Sequence, residues 1–129
     1  MLGLLAVGAG GCLGALARYG LSTWAVRVWG GRFPVGTLVV NVLGCFLLGA
    51  LMAALAERQL LAPEARLFLT IGFLGSFTTF STVGYETFDL LRAQDVALAA
   101  ASLGANVAVG MLAVALGWWL GTRVLGGAL

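Results

Sequence analysis

Histidine and lysine are absent from this 129-residue chain, and only five of its residues are acidic. With no histidine, no serine set beside a base and no clustered carboxylates to share acid and base roles, catalysis has few residues to work with. The two cysteines, Cys12 and Cys45, fall in separate apolar segments at no CxxC spacing. They read as small packing residues rather than as a redox or metal pair. All seven basic residues are arginines and the formal net charge is +2, which is too sparse for a nucleic-acid footprint. No nucleic acid is expected among its partners.

What fills the place of charge is apolar sequence: 61% of residues are hydrophobic and the mean hydropathy is +1.06. That composition marks an integral membrane protein in a lipid bilayer. One spanning helix takes about 20 predominantly apolar residues, so this length supplies roughly four and leaves nothing for a soluble catalytic domain. The expected fold is an all-α membrane protein, a single four-helix transmembrane domain over residues 1–129, with spans at about 2–28, 35–56, 65–91 and 96–120. The first span starts at Met1 with no basic leader and outruns a signal-peptide core, so it reads as a retained helix.

The first segment is rich in glycine, and Gly10-Gly11-x-x-Gly14 fits the small-xxx-small spacing that lets membrane helices approach closely. Arg18, followed by Tyr19, either faces a partner or water within the membrane or snorkels to the interface. Trp29, Gly30-Gly31, Arg32 and Pro34 make an interfacial anchor, a turn and a helix start. In the second span Asn41 is the lone amide; it either bonds across a helix interface or faces a wet path. The polar loop from Glu57 to Arg66 returns the chain to water, and Pro63 opens the next helix. Glu86 and Asp89 fall near the far interface as solvated or snorkelled carboxylates, and Ser102 and Asn106, at i and i+4, make a narrow polar track on the fourth span. Trp118 and Trp119 anchor that span at its end.

The third span carries the most informative stretch, Gly72-Phe73-Leu74-Gly75-Ser76-Phe77-Thr78-Thr79-Phe80-Ser81-Thr82-Val83. Two glycines loosen the helix, and four hydroxyl residues in five positions compete with its backbone for hydrogen bonds. A break of this kind inside hydrocarbon is tolerated only where protein or a water-filled cavity satisfies the freed backbone, so it reads as a site. Phe80 sits between Thr79 and Ser81. Its electropositive ring edge can meet a small anion, unless Phe77 and Phe80 are simply core aromatics at i and i+3. Carbonyls freed at Gly75 and Thr78 can hold a cation.

Four spans put both termini on one side. Arg58, Arg66 and Arg123 then lie on that side, with Arg27, Arg32 and Arg92 on the other. Because basic excess on short loops sets orientation, the tie leaves no strong preference, and both orientations are expected in one membrane.

The combination of Gly10-Gly11-Cys12-Leu13-Gly14-Ala15 with Arg18-Tyr19, Gly36-Thr37-Leu38-Val39-Val40-Asn41 with Gly44, and the Gly72–Thr82 stretch resembles the Fluc (CrcB) family of bacterial fluoride channels over essentially the whole chain. The resemblance implies an antiparallel dual-topology homodimer in the bacterial cytoplasmic (inner) membrane, exporting fluoride passively through two pores, with a structural sodium ion (Na+) on the two-fold axis. By position it implies that Asn41 and Phe80 line the fluoride pore, with Thr79 and Ser81 in the hydroxyl run around the break. It also implies that the backbone carbonyls of Gly75 and Thr78 hold sodium, and it makes Arg18 a vestibule candidate. Ser102 and Asn106 stand where the family usually has a tyrosine and then a serine, and Val83 stands where it commonly has a second pore phenylalanine. Either Phe80 and its polar neighbours suffice, or Tyr85 or Phe88 substitutes, or conduction is reduced. The rival readings are a small four-helix drug or cation exporter, which needs a carboxylate that Leu2–Val28 lacks, and a non-transporting scaffold, which gives no reason for the hydroxyl-rich stretch.

Overall fold

A computed structural model describes residues 1–57 and 61–126; Arg58, counted above in the arginine tie, lies outside the described residues. Every regular element among them is helical: α1 (Leu2–Trp29), α2 (Val35–Glu57), α3 (Pro63–Leu67), a run of wider π-type turns (Phe68–Leu74), α4 (Gly75–Phe77), α5 (Phe80–Arg92) and α6 (Val96–Gly126). Four stretches among the described residues are long and apolar enough to cross a membrane: Leu2–Trp29, Val35–Ala56, Pro63–Arg92 and Val96–Val124. The third starts two residues before the expected position because Pro63 takes a first-turn place, where a missing N–H costs nothing. The fourth helix passes the Trp118-Trp119 pair expected to close it and continues to Gly126. One turn beyond the pair, the Arg123 guanidinium lies 4.9 Å from the Trp119 ring centroid.

Burial runs opposite to that of a water-soluble protein. The innermost apolar side chains are small or β-branched, among them Ala25, Val40, Ala53 and Ala99. Leu4, Leu16, Trp24, Met111 and Leu112 point outward. Close backbone approach, rather than a large apolar core, therefore holds these helices together. At the crossing of α1 with the π-type turns, a Cβ on Gly10 would overlap the Phe68 carbonyl, and Gly72 would meet the Gly10 Cα at 3.0 Å. Only hydrogen fits at either position.

The segment Pro63–Phe77 packs against α1, whereas α5 packs chiefly against α6, and α2 packs most extensively on α6. The change of partner falls at Thr78 and Thr79, which leave the helical region for extended backbone at φ −84°, ψ 155° and φ −151°, ψ 118°. Two local devices prepare it. Thr70 Oγ1 donates to Arg66 O at 2.8 Å, competing for a carbonyl within the helix and widening the turn. Thr78 then closes the preceding turn twice, donating both its N–H (3.1 Å) and its hydroxyl (3.0 Å) to Leu74 O.

Candidate functional site

Once Thr79 is extended, its N–H has no helical partner, and in apolar surroundings an unpaired backbone group is costly. Asn41, 38 residues away on another span, meets both of Thr79's backbone groups. Its Oδ1 accepts the Thr79 N–H at 2.8 Å and its Nδ2 donates to the Thr79 carbonyl at 3.1 Å, so one carboxamide pairs with both backbone groups of one residue. The same Nδ2 donates to Asn106 Oδ1 at 2.9 Å, and Asn106 Nδ2 donates to Ser102 O at 3.0 Å, one turn back along α6. This ties α2, the extended pair and α6 together. Gly44 permits the approach: a Cβ there would collide with Thr78 Cγ2 and lie 3.1 Å from Phe77 Cδ1.

The hydroxyls form a second cluster. Thr79 caps α5, its Oγ1 accepting the Thr82 N–H at 3.3 Å, and it also contacts the hydroxyls of Thr82 (2.9 Å) and Ser81 (3.2 Å). A threonine in this place satisfies one of the open N–H groups at a helix start.

A cavity of about 210 Å³ opens beside the carboxamides. Asn41, Asn106, Thr78, Thr79 and Phe80 line it together with Cys45, Val83 and Val107, so none of its walls is acidic. Phe77 and Phe80, three residues apart in sequence, separate at the extended pair. Phe77 is 4% exposed and stacks on Phe73 with ring centroids 5.9 Å apart, while Phe80 is 79% exposed on the single chain. Val83 is packed inside at 2% exposure and lines the cavity. On this chain Tyr85 opens onto a different cavity, with Arg32 and Asp89, and Phe88 is exposed outside both.

Ser102, Ser81 and Arg18 do not line this cavity. Ser102 is fully buried, and its hydroxyl has no partner among the described residues. Ser81 is exposed and reaches the site only through Thr79. Arg18 is half-buried on α1. Arg27 lines a space of about 360 Å³ together with Ser22, Thr37, Thr82 and Glu86. There Thr37 Oγ1 donates to Glu86 Oε1 at 2.7 Å. Thr37 precedes Asn41 by one helical turn, so an i, i+4 stripe of Thr37, Asn41 and Cys45 was the available signal for this second cavity. Thr79 lines one cavity and Thr82 the other, and their hydroxyl contact joins the two walls.

The carbonyls of Gly75 and Thr78 can be tested as cation ligands. The N–H that a continuous helix would aim at Gly75 O belongs to Thr79 and is held by Asn41. The one owed to Thr78 O belongs to Thr82 and is turned to Thr79 Oγ1. Both carbonyls thus lose their helical donors to side chains, and a carbonyl freed in this way is a hard oxygen donor of the kind that suits a cation.

These features define a multi-pass α-helical membrane protein with polar cavities between its helices. Residues 5–118 match the family described as CrcB-like protein, Camphor Resistance (CrcB), and the chain belongs to that family. It is 45% identical over 123 residues to the fluoride-specific ion channel FluC of Hydrogenovibrio crunogenus, covering 95% of this chain and 93% of the other. It is 47% identical over 127 residues to the protein of the same name from Anaeromyxobacter dehalogenans, covering 98% and 100%. A third FluC, from Dehalococcoides mccartyi, is 46% identical over 119 residues, 92% of each chain.

Proposed function

We propose that this protein is a passive, fluoride-selective channel that exports fluoride across the bacterial inner membrane. The observation that carries the reading is the cavity walled by two carboxamides, hydroxyls and the Phe80 ring, with no carboxylate among its lining side chains. Fluoride is strongly hydrated, so a path must replace its water with aligned donors, and bore and donor strength then discriminate against chloride. The names carried by the relatives from three organisms support the same substrate.

Neutral HF crosses bilayers and dissociates in a less acidic cytoplasm, where the anion is trapped. A membrane potential negative inside favours its exit by about 2.3 kcal/mol per 100 mV, so no ATP and no proton coupling are required. The path runs from the Arg27 cavity, past the hydroxyls of Thr82, Thr79 and Ser81, to Asn41, Asn106 and the Phe80 edge, with Ser102 behind Asn106. Arg18 stands near the entrance as a vestibule charge.

In this reading the extended Thr78-Thr79 pair is a mid-membrane break in the third span, completed by a second copy of the chain in an antiparallel, dual-topology homodimer. The 79% exposure of Phe80 and the even division of arginines support a mirrored partner. Two carbonyls leave a cation's shell incomplete, and a two-fold copy doubles them to four. Gly75 and Thr78 of each chain would hold a structural Na+, which supplies positive charge at the break and is not transported. Fluoride-electrode recording of efflux from vesicles containing the purified protein, with chloride as control, tests the function. Fluoride release well above that of empty vesicles, with little chloride release, is expected; equal release of both ions would refute it.

A further inference from the structure

We propose that Thr70 is a positioning residue for the Gly75 carbonyl: its hydroxyl and its backbone oxygen together hold the wide turns of Phe68–Leu74, and those turns set the direction in which Gly75 faces. The inference rests on the cation site of the channel reading above and names what holds one of its ligands in place.

The side of the third span that touches α1 repeats every five residues. A Cβ on Gly3 would lie 3.1 Å from Leu67 Cδ1, Gly10 stands against Phe68 O and Gly72 Cα, and Gly14 stands against the backbone of Phe73. Leu67 and Gly72 thus share one face, as do Phe68 and Phe73. Five residues of α-helix turn through about 500°, which ends roughly 140° away from the starting face. The wide turns close that difference, because each of their bonds reaches one residue further back.

Thr70 carries the sole polar side chain of the run and acts at both of its ends. In an α-helix the Thr70 N–H would bond to Arg66 O; here the Thr70 hydroxyl donates to that carbonyl at 2.8 Å and competes for it. At the other end the Gly75 N–H is directed to Thr70 O, five residues back, and to Gly72 O, rather than to Ile71 O as an α-helix requires. Closing the run as α-helix would turn everything after it by about 100°, the angle of one residue. With Pro63–Leu67 held, Ile71, now 58% exposed, would swing toward α1, where a Cβ at position 72 would already lie 2.8 Å from Val7 O. Gly75 would leave its exposed position, and its carbonyl would point elsewhere.

The test compares the wild type, Thr70→Val and Thr70→Ser as full chains in mixed micelles, unfolded by SDS at rising sodium chloride, with N-methylglucamine chloride holding the ionic strength constant. A cation bound only by the folded protein stabilises it by an amount that grows with the logarithm of its concentration above Kd. Valine keeps the shape and removes the hydroxyl, so Thr70→Val is expected to need about three- to tenfold more sodium for the same stabilisation, the worth of one neutral hydrogen bond. Serine keeps the hydroxyl and is expected to follow the wild type. Hydrogen exchange at the Gly75 amide is expected to quicken in Thr70→Val and to stay unchanged in Thr70→Ser. If the valine variant does not fold, Thr70→Ala is read in the same way. A valine curve lowered by the same amount at every sodium concentration would mean a purely structural role and overturn the inference, as would a serine variant shifted as far as the valine one. A wild type indifferent to sodium would overturn the inference together with the cation site, and leave fluoride export to be decided by the efflux measurement.

Discussion

Replacing Asn41 with alanine removes three hydrogen bonds: two to the backbone N–H and C=O of Thr79 and one to Asn106. Interhelical hydrogen bonds in membrane proteins average about 0.6 kcal/mol and reach about 1.7, so three together amount to about 2–5 kcal/mol. The upper half is expected. Asn41 is 9% exposed, and the Thr79 N–H and C=O left behind belong to extended backbone with no ladder to fall back on. The assay is equilibrium unfolding in mixed micelles at increasing SDS fraction, followed by tryptophan fluorescence, since Trp24, Trp29, Trp118 and Trp119 report on both α1 and α6. Asn106→Ala removes two bonds and leaves the Thr79 peptide paired, so it is expected to cost about half as much. In the double variant the costs are expected to be less than additive, because the Asn41–Asn106 bond is counted in both singles. An Asn41→Ala loss within about 0.5 kcal/mol, the range of an ordinary surface change, would refute the pairing as a structural element.

Gly44→Val is expected to cost about 1–3 kcal/mol by overpacking against Thr78 and Phe77, read in the same unfolding assay, with Gly44→Ala milder. Val83→Phe is expected to remain folded, because Val83 borders the cavity of about 210 Å³, and to raise the initial rate of fluoride efflux; an unchanged rate would show that a second ring has no role here. Arg32→Ala breaks the 2.9 Å ion pair with Asp95, but with Arg32 72% exposed the change in stability should stay below about 1 kcal/mol and shrink further in high salt.

The four spans were legible because apolar runs of sufficient length have one common solution in a bilayer. The hydroxyl-rich run, whose side chains compete with helical hydrogen bonds, coincides with the extended backbone at Thr78 and Thr79. Helix ends were less so: Trp118 and Trp119 mark an interface by their chemistry, yet nothing between Leu120 and Val124 stops a helix. The role of Asn41 was left open between a helix contact and a wet path; its carboxamide bonds to a backbone 38 residues away, and the side chain also borders a cavity. No local pattern encodes that partner, since only the crossing permitted at Gly44 brings Thr79 within reach. Arg18 drew attention by its depth in an apolar run, whereas Arg27, counted from the sequence only as a charge flanking the spans, lines the cavity that Thr37, Thr82 and Glu86 share.

The most direct test compares initial fluoride efflux from vesicles containing the wild type with efflux from vesicles containing Phe80→Ile at matched amounts of folded protein. Rapid release by the wild type and a large drop on replacing the ring are predicted, because isoleucine keeps the bulk and removes the electropositive edge. Equal rates for the two would contradict a fluoride path along Phe80.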